Sequence, residues 1–129
     1  MKIKINPNAQ IPIYRQIVDQ VKHLILSGQL SADQKLPSSR SLGVELKVNM
    51  LTVQKAYQEL RNQNLIYNKR GEGSFVSHVD VETDSAMQLE EIKRQLRQTI
   101  RKAKIYGLLP QQILKTVEEV LAEGEHNES

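Results

Sequence analysis

The stretch KLPSSRSLGVELKVNMLTVQKAYQEL, residues 35–60, decides the fold. Lys35 and Leu36 are expected to be extended, because Pro37 disfavours helix in the residue before it. Ser38 then has the side chain of an N-cap for a short helix to about residue 46, with Leu42 and Leu46 turned inward. Asn49 is a second N-cap, opening a helix over residues 50–63 whose buried face is Val53, Ala56, Tyr57 and Leu60. Only the region of Lys47 and Val48 separates the two helices, and that spacing predicts a helix-turn-helix.

Upstream, residues 12–27 carry Ile13, Ile17, Val21, Leu24 and Ile25 at helical spacing. Pro12 suits the first turn of that helix, and Gly28 suits the residue after its end. Downstream, NLIYNKRGEGSFVS predicts extended segments at 65–69 and 74–76 around an Arg70-Gly71-Glu72-Gly73 tip, a hairpin wing. Residues 77–85 are polar and acidic without a sustained period and are expected to be a linker. Leu89, Ile92, Leu96, Ile100 and Ala103 then mark an amphipathic helix over 87–104, flanked by Glu90 and Arg94 at i,i+4. Gly107 ends it, Pro110 starts another, and Ile113, Leu114, Val117, Val120 and Leu121 form its apolar stripe. The expected architecture is mainly α with a small β-hairpin wing. A winged helix-turn-helix domain spans 1–76, a linker 77–85, a two-helix dimerisation or regulatory element 86–123, and a flexible tail 124–129.

Composition narrows the function. With 129 residues and 39% hydrophobic content, the chain supports one modest domain plus an appendage. There is no Cys, which removes disulfides, thiolate chemistry and cysteine-based zinc sites. The start MKIKINPNAQ has no apolar leader and no long apolar run follows, so a soluble cytoplasmic protein without membrane attachment is expected. The net charge of +3 hides a split: eleven Lys and Arg stand against six Asp and Glu through Asp80, and seven against nine thereafter. The positive excess at the amino-terminal end points to a polyanion there.

The second helix of the helix-turn-helix would expose Met50, Leu51, Thr52, Gln54, Lys55 and Gln58. Thr and Gln bond base edges, and Lys reaches guanine or a phosphate. Asn49 and the unpaired N–H groups beside it suit phosphate oxygens. Singly, Asn49 also reads as a plain cap, Thr52 and Gln54 as solvated residues and Arg40 as a surface charge. Beside a glycine-tipped basic hairpin, they favour DNA together. The competing readings are a winged-helix protein-interaction module and a non-specific architectural DNA binder.

Four runs, PIYRQIVDQVKHLILSGQL, LPSSRSLGVEL, VNMLTVQKAYQEL and GEGSFV, closely resemble the GntR family of bacterial transcription regulators over about residues 11–76. The resemblance implies an amino-terminal winged helix-turn-helix, a DNA-contacting Arg40 in the Leu-Pro-x-x-Arg motif, a recognition helix led by Asn49, Met50, Leu51, Thr52 and Gln54, and a wing tip at Arg70 and Gly71. With the caps and flanking positions, the expected DNA-binding set is Ser38, Ser39, Arg40, Asn49, Met50, Leu51, Thr52, Gln54, Lys55, Arg70, Gly71 and Gly73. Several better-known members carry Arg where this chain has Met50, so a thymine methyl is the expected partner there. Lys47 and Asn64 stand where Gly is frequent; Lys in a left-handed conformation costs about 1 kcal/mol, and Asn tolerates it better.

The two helices after the wing resemble the YtrA subfamily, which implies a homodimer formed by Leu89, Ile92, Leu96, Ile100, Ala103, Ile113, Leu114, Val117, Val120 and Leu121. Folding of these stripes back on their own domain is the alternative. The implied function is that of a dimeric repressor on an inverted-repeat operator in double-stranded DNA. A small-molecule effector would sit between domains or at the dimer seam, without identifiable ligand residues.

No cofactor, metal site or enzyme activity is expected. His23, His78 and His126 are scattered, and RGEGS lacks the Gly-Lys-Ser/Thr ending of a phosphate loop. Glu90-Glu91 and Glu118-Glu119 read as solvated helix flanks.

Overall fold

Pro12, at φ −54, is pre-set for a helix start, and α1 (Ile13–Leu26) begins directly behind it. The structure, a computed structural model, describes residues 1–127, with side chains described over 1–80 and 86–123. After α1 come α2 (Ser39–Leu46), α3 (Met50–Asn62), β1 (Ile66–Lys69), β2 (Gly73–Val76), α4 (Val81–Ile105) and α5 (Pro110–Asn127). The chain divides into a unit over Met1–Val81 and a second beginning at Glu82.

In the first unit α1 and α2 both pack on α3. The face of α3 is the expected one, with Val53, Ala56, Tyr57 and Leu60 buried. α1 buries Ile17, Val18, Val21 and Ile25, while Ile13 and Leu24 lie partly covered at the edge. Val18 widens the stripe beyond its expected members. Each fully buried Ile, Leu or Val contributes about 1.5–3 kcal/mol, so this one core carries the unit.

The helix-turn-helix is closed by local hydrogen bonds. Ser38 Oγ accepts the Ser41 N–H at 3.0 Å, and Asn49 Oδ1 accepts the Leu51 N–H at 2.8 Å. Between them Lys47 turns the chain at φ 58, and Val48 N–H donates to Gly43 O at 2.9 Å. Gly43 is needed for close approach: a Cβ there would lie 2.9 Å from the Val48 carbonyl oxygen.

Residues 1–6 were not assigned a role from sequence, yet Ile3 is in the core. Gln20 accepts the Lys4 N–H at 2.9 Å and donates to the Lys4 carbonyl at 2.7 Å; Gln16 treats Asn6 alike, at 2.8 and 2.9 Å. Two side-chain amides one turn apart thus serve this segment as a neighbouring strand would.

The wing is antiparallel, in register Ile66↔Val76, Tyr67↔Phe75, Asn68↔Ser74 and Lys69↔Gly73. Extended Lys35 bridges to Phe75 on its other edge. Asn64, at φ 60, makes the turn into it, as expected of a residue that tolerates this region.

Two boundaries differ from expectation. α4 begins at Val81, inside the 77–85 span expected as linker, because an acidic, aperiodic run is favoured at a helix amino terminus by the macrodipole. α5 continues to Asn127, so the tail expected over 124–129 is helical in its first part; Glu128 and Ser129 lie outside the described residues. Between α4 and α5, Gly107 turns at φ 87 and Gln112 Oε1 accepts the Leu109 N–H at 2.7 Å.

Candidate nucleic-acid interface

The amino-terminal half of α3 is fixed from behind by its buried stripe, so the intervening positions face outward. Leu51, Gln54, Lys55 and Gln58 are exposed, while Met50 and Thr52 are half-buried. Tyr57 ties this helix to the segment before α2, its hydroxyl donating to the Pro37 carbonyl at 2.8 Å. Burial holds the Tyr57 phenol above its ordinary pKa, with nearby Glu45 adding to the effect, so it stays a donor. This bond ties the LPSSR segment to α3.

A shallow depression runs between α3 and the wing. Ser39, Leu51, Gln54, Lys55, Tyr57, Gln58, Arg61, Asn68 and Ser74 line it. Arg40 and Met50 line a second one, with Gly43, Val44, Lys47 and Val48 at the turn. The exposed Arg70, Gly71 and Gly73 stand at the hairpin tip, outside both depressions. Ser38 and Asn49 are exposed, but Ser38 Oγ and Asn49 Oδ1 are engaged as helix caps.

Arg61, Asn68 and Ser74 were missed by sequence reasoning. The signal for Arg61 was its spacing, three residues beyond Gln58 and seven beyond Gln54 on one helical face. For the other two, the hairpin register supplies it: Ser74 Oγ donates to Asn68 Oδ1 across the strands at 2.7 Å. Tyr14 was also missed. The Lys55 ammonium sits over its ring at 4.0 Å, and the Arg15 guanidinium carbon lies 5.3 Å from the same ring.

No group of metal-ligating residues occurs among the described residues, nor a helix long and apolar enough to cross a membrane. In the second unit, Leu89, Ile92 and Leu96 on α4 are each about half exposed, and Leu114, Val117, Val120 and Leu121 on α5 are exposed as well. Ile100, Ala103 and Ile113 are partly covered.

Residues 13–76 match the profile of the bacterial regulatory proteins, gntR family. The chain is similar to the HTH-type transcriptional repressor YtrA of Bacillus subtilis (strain 168), 36% identical over 121 residues that cover 94% of this chain and 93% of that protein. It belongs to the GntR family. As a GntR protein it is a winged helix-turn-helix transcription regulator, and its solved relatives share the architecture. YtrA from Sulfolobus acidocaldarius, a GntR-family transcription factor, superposes with a TM-score of 0.60 at 39% identity, covering 74% of this chain and 97% of that one. The DNA-binding domain of AraR, solved in complex with operator ORX1, gives a TM-score of 0.53 at 28% identity, covering 60% of this chain and 96% of that one.

Proposed function

We propose that this GntR protein is a dimeric repressor that binds an inverted-repeat operator in double-stranded DNA. The observation that carries the reading is the depression in which Leu51, Gln54 and Lys55 of α3 meet Asn68 and Ser74 of the wing, with Ser39 at its edge. It offers hydrogen-bonding groups and cations on one open face. α3 enters the major groove, with Thr52 and Gln54 at base edges and Met50 against a thymine methyl. Arg40 and Lys55 clamp backbone or guanine, and the Arg70, Gly71 and Gly73 tip reaches backbone or minor groove. Lys55 leaves the Tyr14 ring to do so, a change costing about 0.5–1 kcal/mol for an exposed cation–π contact and readily offset by a phosphate. Ser38 and Asn49 act as caps that orient free backbone N–H groups toward phosphates.

The half-open stripes of α4 and α5 support the dimer, since a second copy supplies the surface that covers them. A dimer places its recognition helices on half-sites about 34 Å apart, one turn of DNA. The seam is also the place for a small-molecule effector, and the working compartment is the cytoplasm.

Selection from random duplexes, followed by competition with unselected DNA, tests the reading. The expected outcome is one inverted-repeat consensus bound with steep salt dependence, and a loss of about 1–3 kcal/mol for Arg40→Ala with the dimer intact. Equal affinity for every duplex would make the protein an architectural binder. No duplex binding at all would turn attention to exposed Leu51 and Val44 as a protein-docking surface.

A further inference from the structure

The loop between α1 and α2 reaches the wing and bonds along the outer edge of β2, through the Lys35–Phe75 bridge and flanking backbone hydrogen bonds. Asp33 N–H donates to Val76 O at 2.7 Å, Val76 N–H to Gln34 O at 2.9 Å, and Leu36 N–H to Ser74 O at 2.9 Å. Asp33 lies at φ 66, a region that Asp tolerates better than most residues but still occupies at some cost. Its side chain makes two further bonds. Asp33 Oδ1 accepts the Tyr67 hydroxyl at 2.6 Å, and Oδ2 lies 2.6 Å from His78 Nε2. These partners come from opposite sides of the hairpin: Tyr67 is in β1, and His78 follows the end of β2 by two residues.

The contacts continue toward the tip. The Tyr67 ring stacks on Phe75 with centroids 5.8 Å apart, and the Lys69 ammonium lies 5.2 Å over the Phe75 ring. Lys69 immediately precedes Arg70. The Tyr67 hydroxyl, and after it His78, hold the Asp33 carboxyl below its ordinary pKa, so it stays an acceptor for both. A hairpin of two four-residue strands is marginal by itself, and its angle of departure depends on what grips its root.

We propose that Asp33 is a positioning residue for the wing: one carboxylate, bonded to Tyr67 and His78, fixes the direction in which Arg70 and Gly71 leave the domain and thereby sets the wing's share of operator binding. The inference rests on the reading of the wing tip as a DNA contact. His78 and Asp33 are largely exposed, so their pairing contributes little to global stability. Its effect falls on placement.

The test is a double-mutant cycle on the full chain with the operator obtained by selection. Asp33→Gly removes the carboxylate while keeping a residue at ease with positive φ, and Tyr67→Phe deletes the hydroxyl while keeping the ring stack. Each should weaken operator binding about three- to tenfold, the worth of one or two hydrogen bonds. Each should also reduce the slope of affinity against salt by about one phosphate contact, with little change in melting temperature. Arg70→Ala should weaken the unaltered chain similarly and add less than about twofold in the Asp33→Gly background, because the two share one contact. Fully additive losses, wild-type binding by Asp33→Gly, or no effect of Arg70→Ala alone would each overturn the inference while leaving the operator reading standing. Failure of the unaltered chain to prefer any operator would sink both.

Discussion

Lys47 stands at φ 58 and ψ 42 at the end of α2, where a β-carbon crowds the following carbonyl. Lys47→Gly is expected to raise stability by about 0.5–1 kcal/mol, read from chemical denaturation, because glycine relieves that crowding and loses part of the gain to a freer unfolded chain. Tyr57 is a different case. Its hydroxyl serves a carbonyl on another segment, so Tyr57→Phe leaves the Pro37 oxygen without its donor and should cost about 1–2 kcal/mol. Operator affinity should fall as well, since the same bond ties to α3 the segment that leads into Arg40. The turn at Lys47 was legible from the interval between two caps, and its left-handed backbone was implied only by the resemblance, in which Gly is frequent there. The Tyr57 bond was not, because Pro37 is twenty residues away and nothing local couples them.

At the scale of elements, α2 meets the start of α3 through Gly43. Gly43→Ala would force a Cβ to 2.9 Å from the Val48 carbonyl oxygen and 3.5 Å from the Met50 Cα, both backbone atoms that cannot swing aside. The expected loss is about 1–3 kcal/mol, seen as a lower denaturation midpoint, and a tolerated alanine would show that the turn can open without penalty. The helices themselves were read with their faces: the stripe of α3 is buried residue for residue, and α2 runs from its predicted cap to Leu46. Helix ends were less legible. The acidic start of α4 has no apolar period, so nothing in the pattern marks a helix reaching back to Val81. The amino-terminal segment was silent for another reason: its partners are the Gln16 and Gln20 amides, and glutamine on a helix signals nothing until the chain folds beside it.

For the whole molecule, the proposed dimer turns two modest DNA contacts into one strong one. Ile100→Asp places a charge in the proposed seam of α4. Light scattering should then report monomers, and operator affinity should drop by about a hundredfold or more through lost avidity, while an isolated half-site is bound as before. A mutant that remains dimeric would remove the α4 stripe from the assembly. In the single chain Leu89, Ile92 and Leu96 are about half exposed, while Ile100 and Ala103 are partly covered, which leaves the first three open to such a seam.

The sequence by itself determined the helix-turn-helix and the wing, because caps, apolar periods and glycine turns are local patterns that survive in any context, and the resemblance of four such runs carried the family. Only the tertiary structure decided which side chains share the candidate interface. Arg61, Asn68 and Ser74 join Gln54 and Lys55 there because the hairpin lies beside α3, and Asp33 grips the wing because a loop more than thirty residues upstream pairs with β2. Such contacts depend on chain closure, whose energetics belong to the packed core and leave no local pattern to read.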